Sequence, residues 1–228
     1  MKSWCIGKPS AHYVSKMEDV LEVYARPYDA KRPLICLDEA SKELHDTPRG
    51  TLPMKSGQHK RQDYEYERNG VCNLFLSIEP LCGRRKVRVT DRRTAQDFAE
   101  QVRILVDEDY PDADLIVLIV DNLNTHSSAC LYERFEPAEA RRIARRIEWH
   151  YTPEHGSWLN IAECELSVLA SQCLSRRIPD KATLIREVSA WEQRRNAAHA
   201  SVDWQFTAAD ARIKLKRLYP VLKERNVP

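Results

Sequence analysis

Two short stretches limit what this chain can fold into more than anything else in it. Residues 34–39 read LICLDE and residues 115–121 read LIVLIVD. Each is an unbroken apolar run, too short for a helix and without polar alternation. That is the signature of a strand buried on both faces, in a parallel or mixed sheet sheltered by helices. Each run also ends in an aspartate, Asp38 or Asp121, which burial does not call for. In open α/β sheets the ligand crevice lies beyond the carboxyl ends of the strands, so these two carboxylates converge if their strands are neighbours.

The rest of the chain supplies the cover. Val14, Met17, Val20, Leu21 and Tyr24 recur at helical spacing, and the prolines of RPYDAKRP end that helix. Residues 40–63, with Pro48, Gly50, Pro53 and Gly57, read as a long loop. Asn69-Gly70 reads as a tight turn, and residues 85–90 alternate as a half-exposed strand after a turn at Gly83, so an antiparallel meander is expected.

From Thr94 the period becomes helical through Phe98, Val102, Leu105 and Val106, opened by a Thr94-x-x-Asp97 capping box. A basic helix over 137–146, a strand over 147–151, and helices from near Ser157, over 181–197 and after Thr207-x-x-Asp210 follow. The order predicts an α/β fold: a mixed five-stranded sheet flanked by helices, with additional C-terminal helices. Residues 1–30 are expected to be an entry helix and linker, 31–200 the main domain, and 201–228 a helical extension packed on it.

Composition excludes more than it proposes. At 228 residues the chain can bury one sizeable core, and 36 basic against 34 acidic side chains leave a formal charge of +2. Any nucleic-acid surface must therefore be local. The seven cysteines form no CxxC pair, which argues against a disulfide framework or zinc ribbon. His150, His155, Cys164 and Cys173 match no common zinc spacing. The start MKSWCIGKPS has no long apolar segment, and a cytoplasmic protein without membrane segments is expected.

A third carboxylate follows from helix geometry. On the helix after Ser157, positions 159, 162, 163, 166, 169, 170 and 173 form one stripe reading Leu, Ala, Glu, Leu, Leu, Ala, Cys. Glu163 is the only charge on it, whereas Glu165 lies off the stripe and is expected to be solvated. A strand-terminal aspartate is also a common turn residue, and a lone buried glutamate also pairs with arginine. Together, however, three inward carboxylates without soft ligands suit Mg²⁺ or Mn²⁺. Two such ions can drive an in-line phosphoryl displacement.

The segments CLDEASKEL, IVLIVDNLNTHSS and YTPEHGSWLNIAECELSVL, with DYEYERNG and DARIKLKRLYP, resemble the catalytic domain of IS630-family transposases, within the IS630/Tc1/mariner group. The resemblance implies an RNase H-like fold for 31–200 carrying an aspartate, aspartate, glutamate triad at Asp38, Asp121 and Glu163, which would hold two Mg²⁺ or Mn²⁺ ions. It also implies a DNA transposase, acting on double-stranded transposon ends and target DNA, usually at TA, as a homodimer. Asn122, Asn124, His126, His155, Ser157 and Asn160 would position water, phosphate or the carboxylates; turn and N-cap roles explain each of them singly as well.

Family members carry an N-terminal helix-turn-helix, and only about thirty residues precede the first catalytic strand here, so that region is expected to be truncated, encoded separately or lost. A decayed DNA-binding remnant and an RNase H-like host nuclease are the alternative functions.

Basic clusters offer candidate phosphate contacts: Arg84, Arg85, Lys86 and Arg88; Arg141, Arg142, Arg145 and Arg146; and Lys214, Lys216 and Arg217. Each could equally be a solvated face. Trp158 is either a core anchor or a stacking platform for an unpaired base.

Overall fold

The computed structural model describes residues 10–59, 61–62, 64–123 and 126–221. Its main sheet has five strands in the order β5-β4-β1-β6-β7: β1 is Leu34–Asp46, β4 Glu67–Glu79, β5 Arg84–Thr90, β6 Ile116–Val120 and β7 Ile147–Tyr151. A small separate hairpin pairs β2 (Thr51–Leu52) with β3 (Arg61–Gln62). β1, β4 and β5 are antiparallel, whereas β1, β6 and β7 run parallel. The chain leaves β1 towards one edge and returns on its other side as β6, so the order of the strands reverses between β1 and β6.

Alternation along the strands sorts the core into two layers. Cys36, Val117 and Ile119 face one side, packed with α1 (Ala11–Tyr24), α5 (Ile161–Gln172), α6 (Lys181–Ala197) and α7 (Ala208–Lys214). Ile35, Leu37, Leu118 and Val120 face the other, packed with α2 (Ala95–Ile104), α3 (Ala129–Arg134) and α4 (Pro137–Ala144). All five residues of β6 are buried, which explains its lack of polar alternation. Both capping boxes form, at Thr94 with Asp97 and at Thr207 with Asp210. Among the described residues no helix is long and apolar enough to cross a membrane.

Three expectations need correction. Residues 40–46 are not loop: β1 continues to Asp46, paired with β4. Along its outer part exposed and more buried residues alternate, Ser41, Glu43 and Asp46 being exposed and Leu44 buried, so polar side chains are solvated without breaking the ladder. Asn69-Gly70 is not a hairpin turn but lies inside β4. Between Glu43 opposite Val71 and His45 opposite Arg68, β4 holds one residue more than β1, and Gly70 takes φ +97° at this bulge. Helix α3 was not expected, because residues 129–134 are too few to reveal a period. The Gly83 turn is as predicted, with φ +68°, and a Cβ there would stand 2.8 Å from the backbone nitrogen of Ser201.

Candidate active site

The register of β1 and β6 positions the two aspartates. Cys36 lies opposite Ile119, and two residues further along each strand stand Asp38 and Asp121. By alternation both share the face of Cys36 and Ile119, the face covered by α5.

Asn160 brings the third carboxylate to them. It is fully buried and caps α5, its Oδ1 accepting from the Ala162 N–H at 3.1 Å. Its Nδ2 donates to the carbonyl of Leu37 at 3.2 Å, so the start of α5 is tied to the residue before Asp38. The Tyr24 hydroxyl adds a second tie, donating to the Leu159 carbonyl at 2.6 Å and accepting from the Ile161 N–H. Glu163 thus sits in the first turn of α5, where the helix dipole favours a negative charge.

The neighbouring acids act on one another's charge. Burial pushes the Asp38 carboxyl up to about 7, and the charges of Asp121, Glu39 and Glu163 push the same way, against one hydrogen bond from the Glu39 N–H. His126, stacked on Phe98 with ring centroids 4.3 Å apart, bonds Asp121 Oδ1 through Nδ1 and places Nε2 3.1 Å from Glu39 Oε2. Burial draws its imidazole down, but Asp121 and Glu39 outweigh burial and hold it up to about 9. His126 is therefore a cation at neutral pH, bridging the two acids.

Whether the site suits a divalent ion can be tested on the carboxylate oxygens. Asp121 Oδ1 accepts both from His126 and from the Leu123 N–H, and Asp38 Oδ1 accepts from the Glu39 N–H. Among the described residues the second oxygen of each aspartate accepts no hydrogen bond, and Glu163 Oε2 is buried without a partner. Carboxylate oxygens left without a donor, the one on Glu163 buried and those on the two aspartates partly exposed, suit a hard, oxygen-seeking cation. Among the described residues no three His, Cys, Asp or Glu side chains stand close enough together to hold a metal ion as they are.

The other predicted residues fare unevenly. Asn122 accepts from Lys16 Nζ on α1 at 2.5 Å. His155 is exposed with φ +61° and no hydrogen bond joins its side chain to the acids, while Asn124 lies outside the described residues. Glu165, expected in solvent, is 3% exposed. It lies between Arg85 and Arg195, with Arg85 Nε 3.0 Å from its Oε1, because α6 covers a second side of α5 that one apolar stripe does not reveal.

Arg85 is consequently fully buried and is no DNA contact; its guanidinium also donates to the carbonyls of Gly83 and Ala200. Arg84 stacks on Tyr110, Lys86 pairs with Glu192, Arg88 with Asp109, and Arg142 with Asp107 and Glu139, while Arg146 donates to main-chain carbonyls. Arg141 and Arg145 are exposed. Trp158 is 40% exposed beside Trp204 and Phe206. Sequence reasoning passed over Glu39, whose signal was its place directly after Asp38 in LDE. It also passed over Lys16, which carries no local signal.

An aspartate inside β1 and another just past the end of β6, beside a strand-order reversal, with a glutamate in the first turn of a covering helix, form a carboxylate-rich cluster on an RNase H-like fold. Residues 33–185 match the family profile described as DDE superfamily endonuclease, and the chain belongs to that family. No curated protein matches the chain.

Among solved structures it is similar to the Mos1 mariner paired-end complex with Mn, at TM-score 0.56 and 12% identity over 88% of this chain and 61% of that one. The Mos1 mariner paired-end complex with Mg gives 0.54 and 13% over 97% and 67%. The Mos1 strand transfer complex gives 0.53 and 12% over 88% and 61%. At these identities the likeness establishes the fold. The chain spans about three-fifths to two-thirds of the length of these proteins.

Proposed function

We propose that the chain is the catalytic domain of a DNA transposase that hydrolyses phosphodiesters at transposon ends and transfers the freed 3′-hydroxyl into target DNA, usually at TA. Family membership supports the endonuclease chemistry. The observation that supports the reading is that Asp38 and Asp121 each follow by two residues the Cys36–Ile119 pair at the β1/β6 reversal, with the charges of Asp121 and Glu163 bearing on Asp38. Mos1 structures with Mn or Mg and with transposon ends support the choice of metal and partner.

Asp38, Asp121 and Glu163 would hold Mg²⁺ or Mn²⁺, two ions in the full complex, through the oxygens the protein leaves unused. Bound divalent ions supply activation of the attacking oxygen and stabilisation of the leaving oxygen in an in-line displacement. The remaining work belongs to the chain. His126 holds Asp121 through Oδ1 and leaves its second oxygen free for an ion, while Glu39 holds His126. Asn160 sets the distance between α5 and β1, and hence between Glu163 and Asp38. Double-stranded DNA is the partner, and the active assembly is a homodimer.

The test is nicking of supercoiled DNA in Mg²⁺ or Mn²⁺. Asp38→Asn, Asp121→Asn and Glu163→Gln should each abolish it while circular dichroism stays that of the wild type. Full activity in any of the three removes that residue from the site.

A further inference from the structure

Lys16 lies on α1, outside the residues matched to the endonuclease family, yet its ammonium reaches the end of β6. Nζ donates to Oδ1 of Asn122, the residue next to Asp121, and lies 5.8 Å from the centre of the Tyr151 ring. Among the described residues no carboxylate pairs with it. Among the described residues, His126 is committed to Asp121 and Glu39, and Arg93 to Glu39 at 3.8 Å.

The position of Lys16 is not accidental. Helix α1 is held on both sides of it, by Met17, Val20 and Leu21 in the core, by Asp19 bonded to His150 at 2.7 Å, and by the Tyr13 hydroxyl accepting from Trp158 Nε1 at 3.2 Å. Tyr24 then fastens the same helix to the start of the Glu163 helix. A half-buried ammonium is thus fixed on the residue that follows Asp121, with no carboxylate of its own among the described residues. An amide oxygen satisfies one of its three donors and none of its charge.

We propose that Lys16 is a phosphate contact for the DNA strand entering the site, so that α1 is part of the substrate-binding surface and not only cover for the sheet. The proposal rests on the DNA reading above. A phosphate beside Asn122 would pair with the ammonium and keep the strand against the three acids despite their negative charge.

The experiment measures the affinity of a short DNA duplex of arbitrary sequence across a salt series in EDTA, for wild type, Lys16→Met and Lys16→Arg. Methionine keeps the packing of the stem and removes the charge. One lost phosphate contact should weaken binding several-fold at low salt and flatten the slope of log affinity against log salt by about 0.9. Lys16→Arg should retain the wild-type slope. If Lys16 only holds Asn122, Lys16→Met will lower the melting temperature and leave the slope unchanged, which overturns the proposal. A wild-type chain that does not bind the duplex overturns this proposal and the DNA reading together. Full nicking by Asp121→Asn, with the slope change present, overturns the triad assignment and leaves Lys16 standing.

Discussion

Replacing Asp38 by asparagine should make the metal-free protein more stable while destroying the site. In the folded chain the carboxyl titrates at about 7 against an ordinary 3.8, chiefly through burial and then through the charges of Asp121, Glu39 and Glu163. The direction follows from proton counting. Between roughly pH 4 and pH 7 the folded chain holds a proton that the unfolded chain has released, so stability falls as pH rises through that window and is flat above it. At about 1.4 kcal/mol per pKa unit, the penalty at pH 8 is at most about 4 kcal/mol, and about 2–3 kcal/mol after allowing for relaxation and entering water.

Asparagine removes the charge and can still accept the 2.8 Å hydrogen bond from the Glu39 N–H. Urea denaturation in EDTA should place Asp38→Asn above wild type at pH 8, with the gap closing towards pH 4. Adding Mg²⁺ at pH 8 should stabilise wild type more than the variant. A variant equal to or weaker than wild type at pH 8 would refute the costly burial of the Asp38 charge beside the other acids.

Further outcomes follow from the same contacts. The His126 ring should stay protonated to about pH 9 in nuclear magnetic resonance titration without metal; the stability it adds is complete below about pH 6.5 and is lost as pH rises through 9, and a midpoint below 7 would break its bridge to Asp121 and Glu39. Glu165→Ala leaves Arg85 buried without its carboxylate and should cost about 3–5 kcal/mol in urea unfolding. Asn160→Ala should cost about 1 kcal/mol as a lost N-cap, yet depress nicking far more than that, because the tie from α5 to Leu37 goes with it; a variant with undiminished nicking would show that the tie is dispensable.

How much of this was legible in the sequence depended on whether the cause was local. β6 declared itself because burial on both faces leaves only apolar residues. The α2 and α7 starts declared themselves because a capping box is complete within four residues. The apolar runs before Asp38 and Asp121 were legible as strands, but Asp38 lies inside β1 rather than at its end, and the buried face of α5 carries Glu165 where the stripe named Glu163. What stayed hidden depends on partners far away in the chain. Glu165 resembles a solvated glutamate until α6 delivers Arg195 and β5 delivers Arg85, and Arg85 resembles a phosphate contact for the same reason. Asn69-Gly70 carries turn chemistry that the pairing of β1 with β4 turned into a bulge. Lys16 could not be read at all, since nothing between residues 16 and 122 announces that α1 lies over the end of β6.

The central claim is that Asp38, Asp121 and Glu163 form one divalent-cation site. Electron paramagnetic resonance of free Mn²⁺, titrated with the protein at neutral pH, tests it most directly. Wild type should deplete the free-ion signal, Asp38→Asn, Asp121→Asn and Glu163→Gln should each restore it, and a folded Glu165→Gln should bind as wild type does. Undiminished Mn²⁺ binding by the three triad variants, or none by wild type at millimolar metal, would contradict it.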